Sequence, residues 1–308
     1  MYRVILDTDP GIDDALAILL ALASPELHLE AITTVSGNVN IDLTTQNALA
    51  IVELAGQGDI PVARGSREPL RGLPIDATHI HGYNGLGDVV LPHAQAREIA
   101  LAAPELIIEK VMNAPGEMTL VALGPLTNIA KALHAEPRIA QHVREIVMMG
   151  GAFWVPGNVT SEAEFNIFAD PYAAQAVLHA AWPLRVVSLD VTRLTRLQHT
   201  QASLPSLPRN RVRSFISQML HYYFNDANPA RSATGFALHD PLCVGAVFRP
   251  DLITWEKAYV DVELVNASTL GKTSAKKGCV SSHVRVSVGV DAEQFIQLYL
   301  ERMNMAYP

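Results

Sequence analysis

An open, mostly parallel β-sheet flanked by helices is the fold class this sequence predicts, on three observations. Short runs of β-branched and apolar residues alternate along the chain with longer segments of helix formers. Polar residues recur where the apolar runs stop, at the rim where open α/β sheets gather their ligands. No repeat, low-complexity tract or linker breaks the alternation, so the sequence reads as one domain over residues 1–308.

The elements follow in order. Tyr2-Arg3-Val4-Ile5-Leu6 is a buried strand, and a run of strong helix formers begins at Ala15 and continues to Leu22. Residues 28–35 form a second strand closing at Ser36-Gly37-Asn38, then a helix over 42–55 and a short strand over 60–63. Residues 64–95, rich in Gly, Pro and His, read as a long loop that carries function. A helix over 97–113 leads to a strand over 118–123 and the turn Gly124-Pro125. A strand over 145–149 ends at Gly150-Gly151, and a helix near 171–181 precedes a strand over 184–189 that ends at Asp190. Residues 209–225 are helical, and another helix runs through Ala246-Val247-Phe248. Segments 255–265 and 280–290 pair as strands outside the main alternation, and a last helix covers 291–305.

Apolar residues make up 49% of the chain and charged residues 18%, enough for a large core and too apolar for disorder. A net charge of −8 argues against nucleic-acid binding, which needs clustered cations. The one basic cluster, Lys272 with Lys276-Lys277, reads as a solvated loop. Cys243 and Cys279 have neither metal-site spacing nor a disulfide framework, so a reducing cytosol is the default. The N-terminus enters a core strand at once, leaving no room for a signal peptide, and no apolar run is long enough to span a membrane.

Four aspartates, Asp7, Asp9, Asp13 and Asp14, crowd the turn between the first strand and the first helix. One or two of them could cap the helix and complement its dipole. All four exceed that need, because a helix end has only about four orphan donors. Their mutual repulsion calls for a hard divalent cation, Ca2+ or Mg2+. An EF-hand is a poor match, since Gly11 comes too early and the closing position is apolar helix.

Other polar groups stand at predicted strand ends. Asn38 by itself reads as a turn residue. Leu123 could point its carbonyl at the same rim. The segment 157–166 offers Asn158, Glu164 and Asn166, groups suited to hydrogen-bonding hydroxyls. In Leu238-His239-Asp240-Pro241, Asp240 could equally be an ordinary N-cap.

The run Asp7-Thr8-Asp9-Pro10-Gly11-Ile12-Asp13-Asp14 resembles the N-terminal signature of the nucleoside hydrolases, the inosine-uridine nucleoside N-ribohydrolase family. Gly37-Asn38, His81-Gly82, Gly124-Pro125-Leu126-Thr127-Asn128, Met149-Gly150-Gly151, Glu164-Phe165-Asn166 and His239-Asp240-Pro241 match the same family in order. The resemblance covers essentially the whole chain and is weakest in 195–235 and 265–285. It implies a Rossmann-like nucleoside hydrolase fold with the active site at the carboxyl ends of the strands. The implied reaction is Ca2+-dependent hydrolysis of the N-glycosidic bond of purine or pyrimidine ribonucleosides to ribose and free base, in salvage or catabolism. It also implies a cytoplasmic homodimer or homotetramer whose partner is a small-molecule ribonucleoside, with no nucleic acid and no membrane.

By the same resemblance, Asp9, Asp14, Asp240 and the Leu123 carbonyl hold Ca2+, and Asp9 is the base for its bound water. Asp13, Asn38, Asn158, Glu164 and Asn166 hold the ribose, and His239 faces the leaving base. His81 is a second candidate acid, since histidine titrates near neutrality. Asp7 supports the turn or orients a metal ligand from behind. After His81-Gly82 the chain reads Tyr83-Asn84-Gly85, and Tyr222, Tyr223 and Phe224 follow later. These aromatics could stack on a base, although aromatics at helical spacing more often fill a core. Purine against pyrimidine preference stays open.

Two other classes compete. The start Asp7-Thr8-Asp9 superficially resembles haloacid dehalogenase-type phosphatases, but Pro10-Gly11-Ile12-Asp13-Asp14 has no role there; phosphate against ribose release separates them. A noncatalytic, metal-dependent nucleoside-binding protein is the third reading, which turnover of a chromogenic riboside excludes.

Overall fold

The computed structural model describes residues 1–202, 210–227, 234–279 and 282–308 of the chain. Its first part runs β1 (Tyr2–Thr8), α1 (Ile12–Leu22), β2 (Leu27–Thr34), α2 (Ile41–Leu54), β3 (Val62–Arg64), α3 (Thr78–His81), α4 (Ala103–Asn113), β4 (Met118–Ala122), α5 (Thr127–Ala135), α6 (Ile139–His142) and β5 (Glu145–Met149). Then come α7 (Phe165–Ala169), α8 (Pro171–His179), β6 (Leu184–Val187), α9 (Leu189–Thr192), β7 (Arg196–Leu197), α10 (His199–Ala202) and α11 (Arg211–His221). The last part is β8 (Phe236–Ala237), α12 (His239–Phe248), β9 (Ile253–Val262), β10 (Thr273–Lys277), β11 (Val284–Val290) and α13 (Ala292–Ala306).

Nine strands form one open sheet in the order β10-β9-β11-β6-β5-β4-β1-β2-β3. From β3 to β11 every neighbouring pair is parallel, and β9 and β10 add an antiparallel edge. The chain steps outward from β1 to β2 on one side and to β4 on the other. The crevice at their carboxyl ends is therefore the switch point, where an open sheet leaves room for a ligand.

Alternate residues of each strand feed cores on opposite faces. Val4 and Leu6 pack with Leu16 of α1, Val244 of α12 and Phe295 of α13. Ile5 and Leu120 pack with Ile107 of α4, Ile129 of α5 and Val177 of α8. Helix α1 is buried from Asp14 to Ala21, which explains its unbroken apolar run.

The structure differs from the sequence reading in several places. Strands β9 and β11 pair antiparallel, yet they continue the main sheet, because β11 lies parallel on β6 with Val284 opposite Leu184 and Val286 opposite Val186. The polar edge strand β10 has no apolar period to betray it; its lysines suit an edge that must not pair further. Helix α4 starts at Ala103, with Pro104 in its first turn. The strand read over 184–189 stops at Val187, and α9 begins at Leu189. Helix α11 passes into a π-helical turn, Tyr222–Ala227. Residue 209 of the helix read over 209–225, and residues 280–281 of the strand read over 280–290, lie outside the described residues. Among the described residues no helix is long and apolar enough to cross a membrane.

Candidate active site

The turn after β1 is buried, and neutral donors hold its acids in place. Asp14 accepts hydrogen bonds from Thr8 Oγ1 at 2.5 Å, the Gly11 amide at 3.0 Å and Asn38 Nδ2 at 2.9 Å. Asp9 Oδ2 accepts from the Asn38 amide at 2.7 Å. Its carboxylate is wedged between Gly37 and Gly124, where an added Cβ would stand 2.0 Å from Oδ2 and 2.4 Å from Oδ1 respectively. Asp240 arrives in the first turn of α12. One oxygen each from Asp13, Asp14 and Asp240 lies within 4.8 Å of the others. Asp9 lies outside this trio, but its charge still reaches it.

Burial, the largest cause, lifts Asp9, Asp13 and Asp240 above the usual carboxylate range, and the neighbouring carboxylates push the same way. Among the described residues no lysine or arginine forms an ion pair with these acids; His81 Nδ1 lies 4.0 Å from Asp13 Oδ1. Carboxylates gathered with no lysine or arginine partner among the described residues fit a hard divalent ion.

Asp7 does something else. Its Oδ1 accepts from Thr33 Oγ1 at 2.6 Å and Asn128 Nδ2 at 2.8 Å, and the same Nδ2 reaches the Thr34 carbonyl. Burial pushes its carboxyl up to about 6, against those two hydrogen bonds. It ties α5 to β2 beneath the acidic turn.

A cavity of about 360 Å3 opens above the acids. Asp13, Asn38, Leu123, Asn158, Glu164, Asn166, His81, Tyr223, His239 and Asp240 all line it. Glu164 also caps α7: Oε1 accepts from the Asn166 amide at 3.0 Å, and Oε2 from the amides of Gly151 at 2.9 Å and Ile167 at 3.2 Å. That cap turns Asn166 inward, where Nδ2 bridges the carbonyls of Leu123 at 2.6 Å and Met149 at 3.2 Å. Asn158 Oδ1 accepts from the Phe165 amide at 2.8 Å.

Two histidines stand on the walls. His81 Nδ1 accepts from the Ile12 amide at 3.0 Å, so that nitrogen carries no proton. His239 Nδ1 lies 2.7 Å from Thr192 Oγ1, leaving Nε2 for the cavity. Burial first, then the charges of Arg193 and Arg196, push its imidazole down to about 3, so the ring is neutral at pH 7.

Among the aromatics, only Tyr223 of the three tyrosines lines the cavity, edge-on to Phe236 at 4.6 Å between centroids. Tyr83 is 84% exposed, and Tyr222 packs on Gly87. Phe236, Phe165, Phe168 and Met149 supply apolar lining, and Asp76 and His79 stand at the loop side. The sequence reading gave none of the six a role in the site, although Met149 and Phe165 stand within segments that carry the family resemblance. The richness of residues 64–95 in His and Gly was the one signal that could have found Asp76 and His79.

Fold and site together define an α/β enzyme with an acidic, metal-competent centre at the sheet's switch point. Comparison with known proteins makes the class specific. Residues 4–297 match the family described as inosine-uridine preferring nucleoside hydrolase. The inosine-uridine preferring nucleoside hydrolase of Crithidia fasciculata is 40% identical over 316 residues, spanning 98% of this chain and 97% of its own. Uridine nucleosidase 1 of Arabidopsis thaliana is 43% identical over 262 residues, 85% of this chain and 78% of its own. A solved plant nucleoside hydrolase superposes with a TM-score of 0.92 at 37% identity, covering 98% of each chain. The chain belongs to the nucleoside hydrolase family, and that membership supports hydrolysis of ribonucleosides as its activity.

Proposed function

We propose that this protein hydrolyses the N-glycosidic bond of purine and pyrimidine ribonucleosides with the help of one Ca2+, releasing ribose and the free base. The observation that carries the reading is the buried cluster of uncompensated aspartates on the floor of a cavity walled by amides, carboxylates and one aromatic flank. Asp9, Asp14, Asp240 and the Leu123 carbonyl would hold the ion, with Asp13 beside them. Bound there, Ca2+ would supply Lewis-acid activation of water and a counter-charge for the acids.

The chain's own groups do the rest. Asp9 accepts the water's proton as the water oxygen bonds to C1′ and the C1′–N bond breaks; the bond's electrons pass to the base, which takes up one proton on the histidine side, balancing the one held by Asp9. Asp13, Asn158, Glu164 and Asn166 bind the ribose hydroxyls; Asn38, expected from the sequence to do the same, directs its N–H groups to Asp9 and Asp14 and holds them in register. Such fixing of nucleophile and electrophile lowers a barrier by about 7–11 kcal/mol. His239 and His81 donate hydrogen bonds to the departing base, and Tyr223 with Phe236 forms its apolar flank. A purified sample assayed for ribose release on a panel of ribonucleosides, with and without a chelator, tests the reading. Ribose release abolished by chelator and restored by Ca2+ is expected; no release from any ribonucleoside overturns it.

A further inference from the structure

Helix α9 is only four residues long, yet the polar side chains on and just after it hold two walls of the cavity. It is anchored to the sheet by the Leu189 amide on the Gly151 carbonyl at 2.9 Å and by the Ser188 amide on Ser287 Oγ at 3.0 Å. From this platform Asp190 accepts from the amides of Phe153 at 3.0 Å and Trp154 at 2.8 Å. Thr192 meets His239. Arg193 Nη2 donates to the Gly157 carbonyl at 2.7 Å.

Gly157 opens the compact turn that presents Asn158. The amides of Asn158 and Val159 fold back on the Ala163 carbonyl at 3.1 and 3.3 Å, so the turn moves as a unit. Its far side is tied to β10's approach by Lys272, which reaches Glu162 at 2.6 Å. Its near side is tied to the body through Arg193 on the Gly157 carbonyl and through Asn158 Oδ1, which accepts from the Phe165 amide at 2.8 Å.

We propose that Arg193 is a positioning residue that latches the Asn158 turn over the ribose side of the cavity, acting through Asn158 and not by touching substrate. The inference rests on the ribonucleoside reading above. A planar guanidinium held on a rigid helix fixes a carbonyl's direction better than a flexible ammonium does. Losing it loosens the turn, which then hangs on the Phe165 amide and Lys272, and leaves the acidic centre untouched; burial, the larger cause, still keeps His239 neutral.

The test uses Arg193→Met and Arg193→Gln, with Arg193→Lys as the conservative partner. Backbone hydrogen exchange of the unliganded protein should rise at least about tenfold in 157–163 for Met and Gln and stay unchanged in β5 and β6. KM for a ribonucleoside should rise about 10- to 100-fold, the span of a lost hydrogen bond to a charged group, with a smaller fall in kcat. Lys should recover part of the loss. In a cycle with Asn158→Ala, adding Arg193→Met should cost less than about threefold more. Unchanged exchange in 157–163, additive losses in the cycle, or loosening spread through the sheet with KM unmoved would each overturn the latch. If the wild-type protein cleaves no ribonucleoside, the functional reading fails while the exchange result still decides the latch.

Discussion

Gly37→Ala should disable the enzyme without removing any reacting group. A Cβ at Gly37 would stand 2.0 Å from Asp9 Oδ2, where real contacts stay beyond 3.0 Å. Something must shift by at least about 1 Å, and Gly37 cannot retreat freely, because its amide donates to the Val39 carbonyl at 3.1 Å and Asn38 next to it grips Asp9 and Asp14. The Asp9 carboxylate cannot turn the other way either, since Gly124 closes on Oδ1. A misplacement of that size at a reacting group costs on the order of 10²-fold. The assay is kcat on a cleaved ribonucleoside, with metal content and the thermal midpoint measured on the same sample. The expected result is kcat down about 10²-fold in a protein that stays folded. A variant with kcat within about threefold of wild type and a full complement of metal would refute the argument that Asp9 is fixed by this glycine frame.

Asp9→Ala should cut kcat by about 10³-fold or more, because metal geometry and base are lost together; a variant that raised only KM would make Asp9 a binding residue. A 2′-deoxyribonucleoside should react at least about 10⁴-fold less efficiently than its ribonucleoside, because buried hydroxyl partners are left unpaired; comparable kcat/KM would remove the ribose role of Asp13. His239→Ala should cost natural nucleosides about 10²–10⁴-fold and leave p-nitrophenyl riboside nearly unaffected, since that leaving group needs little help; equal losses would point to a disturbed Asp240. Metal-free protein should lose stability as pH rises above about 4, the ordinary carboxylate value, because the raised acids keep protons in the folded state that the unfolded chain gives up. The gap between thermal midpoints with and without Ca2+ should therefore widen from pH 5 to 7.5, and a constant gap would show that these acids do not hold the ion.

How much of this was legible in the sequence depended on whether neighbours in space were also neighbours along the chain. The acids of the first turn are consecutive, so their excess over capping need was visible. The polar residues at strand ends were visible too, because a parallel sheet collects its carboxyl ends on one rim. The resemblance joined Asp240 to Asp14, but that Asp13, and not Asp9, completes the trio was not legible, since α12 meets α1 only in the folded core. Strand β10 escaped because an edge strand has no apolar period to read. Asp190, Thr192 and Arg193 gave no sign of purpose: their partners are backbone groups and a ring tens of residues away, and such hydrogen bonds leave no pattern in composition.

The way the acids are held explains why the site is suited to a cation. Thr8, Gly11 and Asn38 are neutral donors, so they orient the carboxylates of Asp9 and Asp14 without cancelling their charge. A lysine in their place would stabilise the unliganded protein and would also occupy the cation's position. Leaving the charge uncompensated costs folding stability in a buried site, and the cost is recovered when an ion binds, so stability and activity should respond to the same metal titration. Glu164 shows the same economy in another form. Its carboxylate accepts from the amides of Gly151, Asn166 and Ile167, three of its roughly four acceptor sites, and in capping α7 it aims Asn166 at the carbonyls of Leu123 and Met149. A Glu164→Gln change would therefore disturb the Leu123 carbonyl, the single backbone oxygen assigned to the ion, together with the carboxylate's own contact with the ribose.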